Sequence, residues 1–417
     1  MTNRCVDIVV GLQAGSEAKG KLITVLKRPY HALVRTGGCN AAHGVHLGDK
    51  KYLFHQLPCG ALHFPESLLV LGANAQIDVE YLRKEVEILR EAGCLFLPNG
   101  KSRIFVDYHA TMVDAVDKIA ENGGRMPECG DLYFHPRDCP VHATLGGTCL
   151  GCQKLPKDSA WAKLGSTTHG AGANAIRKIL RGTRMAVLAG QPLKVPPQLP
   201  SRWSDWASDV EVVPLRYATD DDCVKSVATI CDTVEVLNDL VDQNCPILLE
   251  GTQGALLSLH HGYIGKTTSR DTNAATWCAE AGVSPLTIRD IYGVARTYPI
   301  RVAGDSGPLS GPEITWDEVT RRAEAPTVIE ELTSATKRRR RVFEWGMEDM
   351  QKALMLNRPT KLMLTFVDYL HYTNVGVSQW EGLTPGSRAW ITDKEEKLGI
   401  KFDYLSTGPK QDQTIYR

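Results

Sequence analysis

The sequence has no excess of either charge and no long apolar segment. Its 417 residues contain 48 Lys and Arg against 48 Asp and Glu, so any anion-binding site must be local. No run of about eighteen apolar residues and no amino-terminal signal-like segment occurs, which argues against membrane spanning and secretion. We therefore expect a cytoplasmic protein with neither nucleic acid nor a membrane among its partners.

A disulfide framework is not indicated, because most of the twelve cysteines are scattered among strand-like and helix-like segments. The exception is residues 124–160, which we interpret as a Cys- and His-rich insertion within a single domain of residues 1–417. Structural Zn²⁺ would suit its closing C-x2-C pair, with His135 and His142 as spare donors; the candidate ligands are Cys129, Cys139, Cys149 and Cys152. Unrelated reduced cysteines, or a redox pair, are the alternatives.

Strand-like and helix-like segments alternate along the chain. The spacing predicts a helix over 81–93, which ends at a glycine, and strands at 6–10, 102–110, 245–254 and 361–370. This alternation is typical of an α/β fold with a large, mainly parallel central sheet flanked by helices. Ligands of such sheets bind beyond the carboxyl ends of the strands, so we expect the polar loops there to converge.

A glycine- and lysine-rich loop follows the first strand. Its sequence "GSEAKGK", Gly15 to Lys21, has the phosphate-loop spacing G-x4-G-K, but Leu22 follows where Ser or Thr would bind magnesium. Bare backbone N–H groups and a lysine suit phosphate oxygens. A simple Gly-rich turn is the alternative interpretation.

Two further loops have the composition of ligand sites. "RTGGCNAAHGVH" (35–46) carries His43, a candidate general acid or electrophile, although a lone surface histidine is the commoner case. "GSTTHGAGAN" (165–174) offers hydroxyls and glycine N–H groups that suit an anion, or else is only a flexible loop.

Two charged features lie near the carboxyl terminus. "TKRRRR" (336–341) suits bidentate capture of a carboxylate, and a nucleic-acid patch or a solvated run are the alternatives. Asp368 lies just beyond a strand in "TFVDYL", where a carboxylate can pair with the N1–H and 2-amino donors of guanine; a helix cap is the alternative.

Together and in this order, these segments resemble adenylosuccinate synthetase over nearly the whole chain. The family's G-D-E-G-K-G-K corresponds to "GSEAKGK", its G-G-H-N-A-G-H to "GGCNAAH", and its E-G-A-Q-G to "EGTQG". "GSTTHGAG", "TTSRDT", "TKRRRRV", "TFVD" and "STGP" (406–409) match further motifs, although the lysine of the family's T-K-x-D is Phe366. Among these motifs, "TTSRDT" and "TKRRRRV" look more like those of archaeal synthetases than those of bacterial ones.

The resemblance implies roles for individual residues. The implied catalytic residues are Ser16, Lys19, His43 and Gln253. The nucleotide monophosphate would contact Ser16, Asn40, Ser166, Thr167, Arg181, Gln253 and Thr268. Aspartate would contact Thr336, Arg338 and Arg340. The nucleoside triphosphate would contact Gly15, Glu17, Lys19, Gly20, Lys21, His43, Arg340, Asp368, Ser406 and Gly408. The implied cofactor is Mg²⁺ near Ser16 and the backbone of Ala42, and Arg181 would reach across a homodimer interface.

One departure from the family pattern suggests a different substrate. Ser16 stands where the family has the catalytic aspartate that removes the N1 proton of IMP; Ala18, Cys39 and Ala42 also differ. Serine is shorter and neutral, and it can accept a hydrogen bond from the 2-amino group of guanine. The swap resembles a phage branch of the family that joins aspartate to dGMP on the way to 2,6-diaminopurine DNA. The localisation would then be the host cytoplasm.

Several alternatives stay open. An ordinary adenylosuccinate synthetase acting on IMP is the nearest, and a non-enzymatic nucleotide-binding or nucleic-acid-binding protein is more distant. GTP is the favoured phosphate donor because Asp368 is present, with ATP or dATP as the alternative. The group that removes the N1 proton is open: Ser16 acting through water and the nearby Glu17 are both hypotheses.

Overall fold

The computed structural model describes residues 3–113, 117–118, 170–179, 227–333 and 338–417. The strands there are β1 Val6–Gly11, β2 Ala32–Arg35, β3 His43–Leu47, β4 Lys50–Phe54, β5 Leu68–Leu71, β6 Gln76–Ile77, β7 Ile104–Asp107, β8 Thr111–Met112, β9 Ala228–Cys231, β10 Ile247–Glu250, β11 Ile288–Arg296, β12 Ile300–Arg301, β13 Glu313–Ile314, β14 Arg341–Phe343, β15 Lys361–Thr365, β16 Tyr404–Ser406 and β17 Thr414–Tyr416. The α-helices in this part are α1 Lys19–Val25, α2 Val79–Glu91, α3 Ala171–Ile179, α4 Thr233–Asp242, α5 Ala274–Ala281, α6 Trp316–Arg322, α7 Met347–Asn357 and α8 Pro385–Leu398. The predicted insertion at 124–160 lies outside the described residues.

Ten strands form one sheet in the order β17-β16-β15-β11-β1-β10-β2-β5-β7-β9. Every neighbouring pair is parallel except β16 and β17 at one edge, which are antiparallel. Smaller sheets are formed by β12-β14-β13, by the β3–β4 hairpin and by β6 with β8. The mainly parallel α/β sheet predicted from the sequence is confirmed.

Helices cover both faces of this sheet, which explains why most of the residues in its central strands are apolar. Along β1 the side chains alternate, so that Ile8 and Val10 belong to one hydrophobic core and Val9 to the other. The first core also contains residues of α4, α5, α7 and α8, and the second contains residues of α1 and α2. No helix in the described ranges is long and apolar enough to cross a membrane.

Local signals in the sequence place the helix predicted at 81–93. α2 begins after Asp78, whose carboxylate accepts a hydrogen bond from the backbone N–H of Glu80 at 3.1 Å. Gly93 follows the helix with φ 68°, a left-handed conformation that favours glycine.

The cysteines of the described residues are all free thiols, as the sequence predicts: Cys5, Cys39, Cys59, Cys94, Cys231, Cys245 and Cys278.

A buried arginine joins the far edge of the sheet to the loops beside it. Arg103 is fully buried just before β7, and its guanidinium donates to backbone carbonyls of Ser67 (2.9 Å), Cys94 (2.6 Å), Ala61 (3.2 Å) and Phe64 (2.7 Å). Burial lowers the pKa of this guanidinium to about 10, which still leaves it charged at neutral pH. Arg103 therefore satisfies carbonyls that no strand or helix pairs.

We expect Arg103→Met to lower the free energy of unfolding by about 3 kcal/mol, because several buried carbonyls lose charged donors at once. Thermal or urea unfolding followed by circular dichroism measures this. The matched control is Arg90→Met, since Arg90 is an exposed arginine whose partner is Glu87 in the same helix and its removal should change stability by under about 0.5 kcal/mol. Equal effects of the two substitutions would contradict the role assigned to Arg103.

Candidate active site

A cavity of about 870 Å³ lies at the carboxyl-terminal edge of the large sheet. Its lining comes from the segments that follow β1, β2, β10, β12, β15 and β16, from the β3–β4 hairpin and from the segment before β14. The convergence of polar loops expected from the sequence is therefore observed.

Most of the predicted site residues line this one cavity: Gly15, Ser16, Lys19, Gly20, Lys21, Asn40, Ala42, His43, Gln253, Thr268, Arg338, Arg340, Asp368, Ser406 and Gly408. Glu17 is the exception, since it is buried beneath the loop and does not line the cavity. Other predicted residues lie outside the described residues: Ser166, Thr167, Arg181, Thr336, Cys129, Cys139, Cys149 and Cys152, together with His135 and His142.

The loop between β1 and α1 has an unusual backbone. Gly15, Ser16 and Ala18 have φ values of 88°, 58° and 63°, which lie in the left-handed region. This conformation leaves the side chain of Ser16 exposed at the cavity wall. A guanidinium N–H of Arg296 donates to the backbone carbonyl of Ser16 at 3.2 Å and so fixes the residue from below.

The buried carboxylate of Glu17 holds this loop together. One carboxylate oxygen accepts hydrogen bonds from the backbone N–H groups of Gln13 (3.2 Å) and Gly15 (2.7 Å). The other oxygen pairs with the ammonium of Lys19 at 2.9 Å, and Lys19 also donates to the carbonyl of Gln253. Glu17 is thus committed to the loop itself, which removes the basis for the hypothesis that it takes a substrate proton.

Two glycines, one at the end of β1 and one in the loop after β10, make room for this carboxylate. A Cβ atom on Gly11 would lie 2.5 Å from one oxygen of Glu17, and a Cβ atom on Gly254 would lie 2.4 Å from the other. The backbone of Gly254 is extended, with φ −156°, so that space alone requires glycine there. The loops after β1 and β10 are therefore fitted around one carboxylate.

A buried histidine–glutamate pair faces the same cavity. Nδ1 of His43 bonds to the carboxylate of Glu250, which also accepts from Arg35 at 3.2 Å and from the backbone N–H of Cys59 at 2.7 Å. Burial and the nearby Arg35 lower the pKa of His43 to about 4. Burial alone would raise the pKa of Glu250, but its bond to His43 and the charge of Arg35 hold it at about 2. At neutral pH we therefore assign a neutral ring with its proton on Nδ1 and a lone pair on Nε2.

The sequence analysis missed three charged residues of the site, and they share one signal. Arg35, Glu250 and Arg296 are the last residues of β2, β10 and β11, and each is almost fully buried. Arg35 and Glu250 are also direct neighbours across the parallel ladder. A charged residue at the carboxyl end of a parallel strand could have indicated these positions, because that strand end points into the ligand site; in β2 and β10 it is also the only charged residue of the strand.

A second charged network joins the phosphate loop to the arginine-rich segment. Glu331 accepts from the guanidinium groups of Arg296 (3.2 Å) and Arg340 (3.0 Å). Gln13 binds both the backbone N–H (2.9 Å) and the carbonyl (3.0 Å) of Arg296. Arg338, by contrast, is exposed and makes no ion pair with any residue that the structure describes. Arg340 is therefore held in place, whereas Arg338 is available to a ligand.

Asp368 and Lys21 also line the cavity, and each lies within the electrostatic influence of the other. Burial raises the pKa of Asp368 to about 6 and lowers the pKa of Lys21 to about 8, so that both are mainly charged at pH 7. Phe366 precedes Asp368 with φ 59°, and its ring lies under the guanidinium of Arg296 at 4.0 Å. Phe366, which replaces the lysine of the family pattern, therefore packs against the arginine that holds the loop after β1.

In the described residues, one group of side chains has metal-ligand spacing: His43, Cys59 and Glu250, whose ligand atoms lie within 4.8 Å of one another. The guanidinium of Arg35 already lies against Glu250, and the thiol of Cys59 has a pKa well above its usual value because it is buried. A cation is therefore disfavoured there, since the thiol is protonated and a positive charge is already present. The predicted zinc ligands lie outside the described residues.

The parallel sheet, the glycine- and lysine-rich loop after β1 and the buried histidine–glutamate pair are features typical of a nucleotide-dependent α/β enzyme. The family model of adenylosuccinate synthetase matches residues 8–126 and 156–377. The chain belongs to the adenylosuccinate synthetase family, whose members are Mg²⁺-dependent ligases that bind nucleotide and aspartate and form a C–N bond.

Relatives and solved structures agree with this assignment. Adenylosuccinate synthetases of Methanocaldococcus jannaschii and Methanococcus maripaludis strain S2 are 29% and 30% identical over 412 and 413 residues, covering 98% of this chain and 95% and 97% of theirs. The fold is similar to that of succinoaminodeoxyadenylate synthetase of cyanophage S-2L, bound to dGMP and dATP as an energy donor (TM-score 0.68, 23% identity, 99% of this chain and 95% of that one). It is also similar to fully ligated adenylosuccinate synthetase of Plasmodium falciparum (TM-score 0.71, 18% identity, all of both chains).

The fit around Glu17 predicts that Gly254→Ala is destabilising. The added methyl group would meet the Glu17 carboxylate and the Gln13 carbonyl, and such overpacking costs about 2 kcal/mol. Differential scanning calorimetry should therefore show a lower Tm, and ligase activity should fall because the loop is displaced. Gly386→Ala is the control, since Gly386 lies in α8 with open space around its Cα. A Tm of Gly254→Ala at or above that of the control would contradict the steric argument.

Proposed function

We propose that this protein joins L-aspartate to C6 of dGMP, using a nucleoside triphosphate, with GTP favoured. The 6-oxygen of guanine attacks the γ-phosphorus, the N1 proton leaves, and the nucleoside diphosphate departs. The amine of aspartate then displaces the 6-phosphate from C6 and loses a proton. The products are N6-succino-2-amino-2′-deoxyadenylate, a nucleoside diphosphate and inorganic phosphate.

The observation that carries the proposal is the side chain of Ser16 at the cavity wall. Its loop has a left-handed turn that leaves Ser16 exposed at the cavity wall, and the family's sequence pattern has a carboxylate at this position. Guanine differs from hypoxanthine by the 2-amino group beside N1. A neutral, short hydroxyl leaves room for that group and can accept its hydrogen bond.

The comparisons support two substrates unequally. The cyanophage S-2L protein was solved with dGMP, and its fold is similar to the present one. The archaeal relatives are named adenylosuccinate synthetases, which favours IMP as the second candidate substrate. Ser16 is the reason for preferring dGMP, because a synthetase that uses IMP would lack its usual base.

Polar groups around the cavity suit the two chemical steps. Lys19 and Lys21 would balance the charge of the triphosphate, and Asn40, Gln253 and Thr268 would contact the monophosphate. Nε2 of His43 points a lone pair to the cavity, and ionised Glu250 stabilises the ring when that nitrogen takes up a proton. We assign removal of the N1 proton to a water held by Ser16.

The arginine-rich segment suits aspartate. Arg338 is exposed and has no ion-pair partner among the described residues, whereas Arg340 is oriented by Glu331. Two such groups can bind a carboxylate in bidentate geometry. Thr336 would contribute to the same site.

The oxygen donors at the cavity also fit Mg²⁺. The ion prefers oxygen ligands and commonly shares them with phosphates. Here the backbone carbonyl of Ala42 would hold it together with the triphosphate, near Ser16, and both residues line the cavity. When bound, the ion would neutralise charge on the transferred phosphoryl group.

Two further expectations from the sequence stay proposals. One is a homodimer in which Arg181 reaches the partner's site, and the other is structural zinc in the insertion.

Ser16→Asp tests the substrate. We expect kcat/KM for dGMP to fall at least about tenfold, and kcat/KM for IMP to rise, because a carboxylate crowds the 2-amino group but restores a base for N1. The readout is formation of succinylated product with dGMP, GMP and IMP in parallel. Aspartate tolerates left-handed backbone, so strain does not confuse the result.

The matched control is Ser16→Asn, which has the same shape as aspartate but no charge. It should lose activity on dGMP without gaining activity on IMP. If wild-type protein makes product from IMP and none from dGMP, then the proposal is wrong and the protein is an ordinary adenylosuccinate synthetase.

Asp368 provides a test of whether the phosphate donor carries guanine or adenine. Only the ionised carboxylate accepts both guanine donors, and its pKa is raised to about 6, so protonation between pH 7 and pH 5 should weaken GTP binding. We expect the ratio of KM for GTP to KM for ATP to rise about tenfold over that interval. Asp368→Asn should abolish this dependence. A lower KM for ATP or dATP than for GTP at pH 7, with no change in the ratio, would identify an adenine donor.

A further inference from the structure

The β3–β4 hairpin presents a pair of basic side chains to the cavity. His46 and Lys51 are direct partners in the antiparallel ladder, so their side chains project from the same face. Both residues line the cavity, and so do Gly44 and Leu53, the next pair on that face. Lys50 lies on the other face, with its ammonium 5.0 Å from the centre of the Tyr52 ring.

The pair is electrostatically unbalanced in the described residues. Lys51 forms no ion pair with any of them, and His46 has a lowered pKa because of partial burial and the charges of Lys51, Lys21 and Lys410. The lowered pKa keeps His46 neutral at pH 7, so the charge that the described residues leave without an ion-pair partner is that of Lys51. The nearby Asp49 does not offset it, because its carboxylate is 90% exposed and pairs with Lys410.

The position of Lys51 is fixed by the residue after His43. Gly44 has no side chain, and the Cε atom of Lys51 lies 3.3 Å from where a Cβ of Gly44 would be. The stem of Lys51 therefore passes over Gly44, and Lys51 and Lys21 both line the cavity and both act electrostatically on His46. An anion of high charge between these lysines would relieve their repulsion.

We propose that Lys51 and His46 bind the triphosphate of the phosphate donor, Lys51 as a cation and His46 as a hydrogen-bond donor. This inference rests on the proposed function only in requiring a triphosphate in the cavity. A triphosphate carries more charge than the monophosphate substrate, and the hairpin shares its cavity wall with Lys21 of the phosphate loop. Lys51 thereby adds a contact from outside the loops that the sequence motifs indicate, next to His46 at the end of one of them.

The experiment measures binding without turnover. Isothermal titration calorimetry of full-length protein, with Mg²⁺ and the β,γ-imido analogue of GTP, should give a Kd about tenfold higher for Lys51→Met than for wild type. Lys51→Arg should restore most of the affinity. Lys50→Met is the control and should bind as wild type does, because it removes a charge at the neighbouring position on the other face. Inorganic tripolyphosphate should show the same order among the variants.

Steady-state kinetics separates this inference from the proposed function. In Lys51→Met the KM for the triphosphate should rise, while the KM values for dGMP and aspartate stay within about twofold. Equal Kd values for Lys51→Met and wild type, or a rise only in the KM for the monophosphate, would overturn the inference and leave the proposed function standing. If wild type binds the analogue but makes product only from IMP, the proposed substrate fails and the hairpin contact stands.

Discussion

The site depends on one buried carboxylate, that of Glu17. It accepts hydrogen bonds from two backbone N–H groups of its own loop and from the ammonium of Lys19, which also donates to the carbonyl of Gln253. An ionised carboxylate out of water is tolerated only when it is paired and fully hydrogen-bonded. The loops after β1 and β10 must therefore close around it, and Gly11 and Gly254 are the positions where they approach it closely.

Charged strand ends extend this arrangement across the sheet. Glu250 orients His43 and is itself neutralised by Arg35, while Arg296 ties the carbonyl of Ser16 to the arginine-rich segment through Glu331. Because these groups are buried, their mutual attraction is weakly screened by solvent. The cavity is consequently lined by side chains whose orientations are set before any ligand arrives, which is what phosphoryl transfer requires of an enzyme.

Ser16 occupies a loop whose backbone could hold an aspartate equally well. The left-handed φ, the bond from Arg296 and the neighbouring Glu17 network involve the backbone or other side chains, so the side chain at position 16 is free to change with the substrate. A change of base recognition by one residue is therefore compatible with an unchanged fold. Because the loop is held by its backbone and by other side chains, a chain with a neutral residue at position 16 can still belong to the family.

The sequence by itself determined the parallel α/β sheet and the order of its loops, because apolar strands and Gly-rich turns are local signals, and its resemblance to the family indicated most of the residues of the cavity. It did not determine the role of Glu17, which reads as a nucleotide ligand in the motif but lies beneath the loop. It also gave no sign that Arg296 meets Ser16, or that His46 and Lys51 share a face of a hairpin at the cavity. Those relations join residues distant in the chain or depend on strand register, and only tertiary packing decides them.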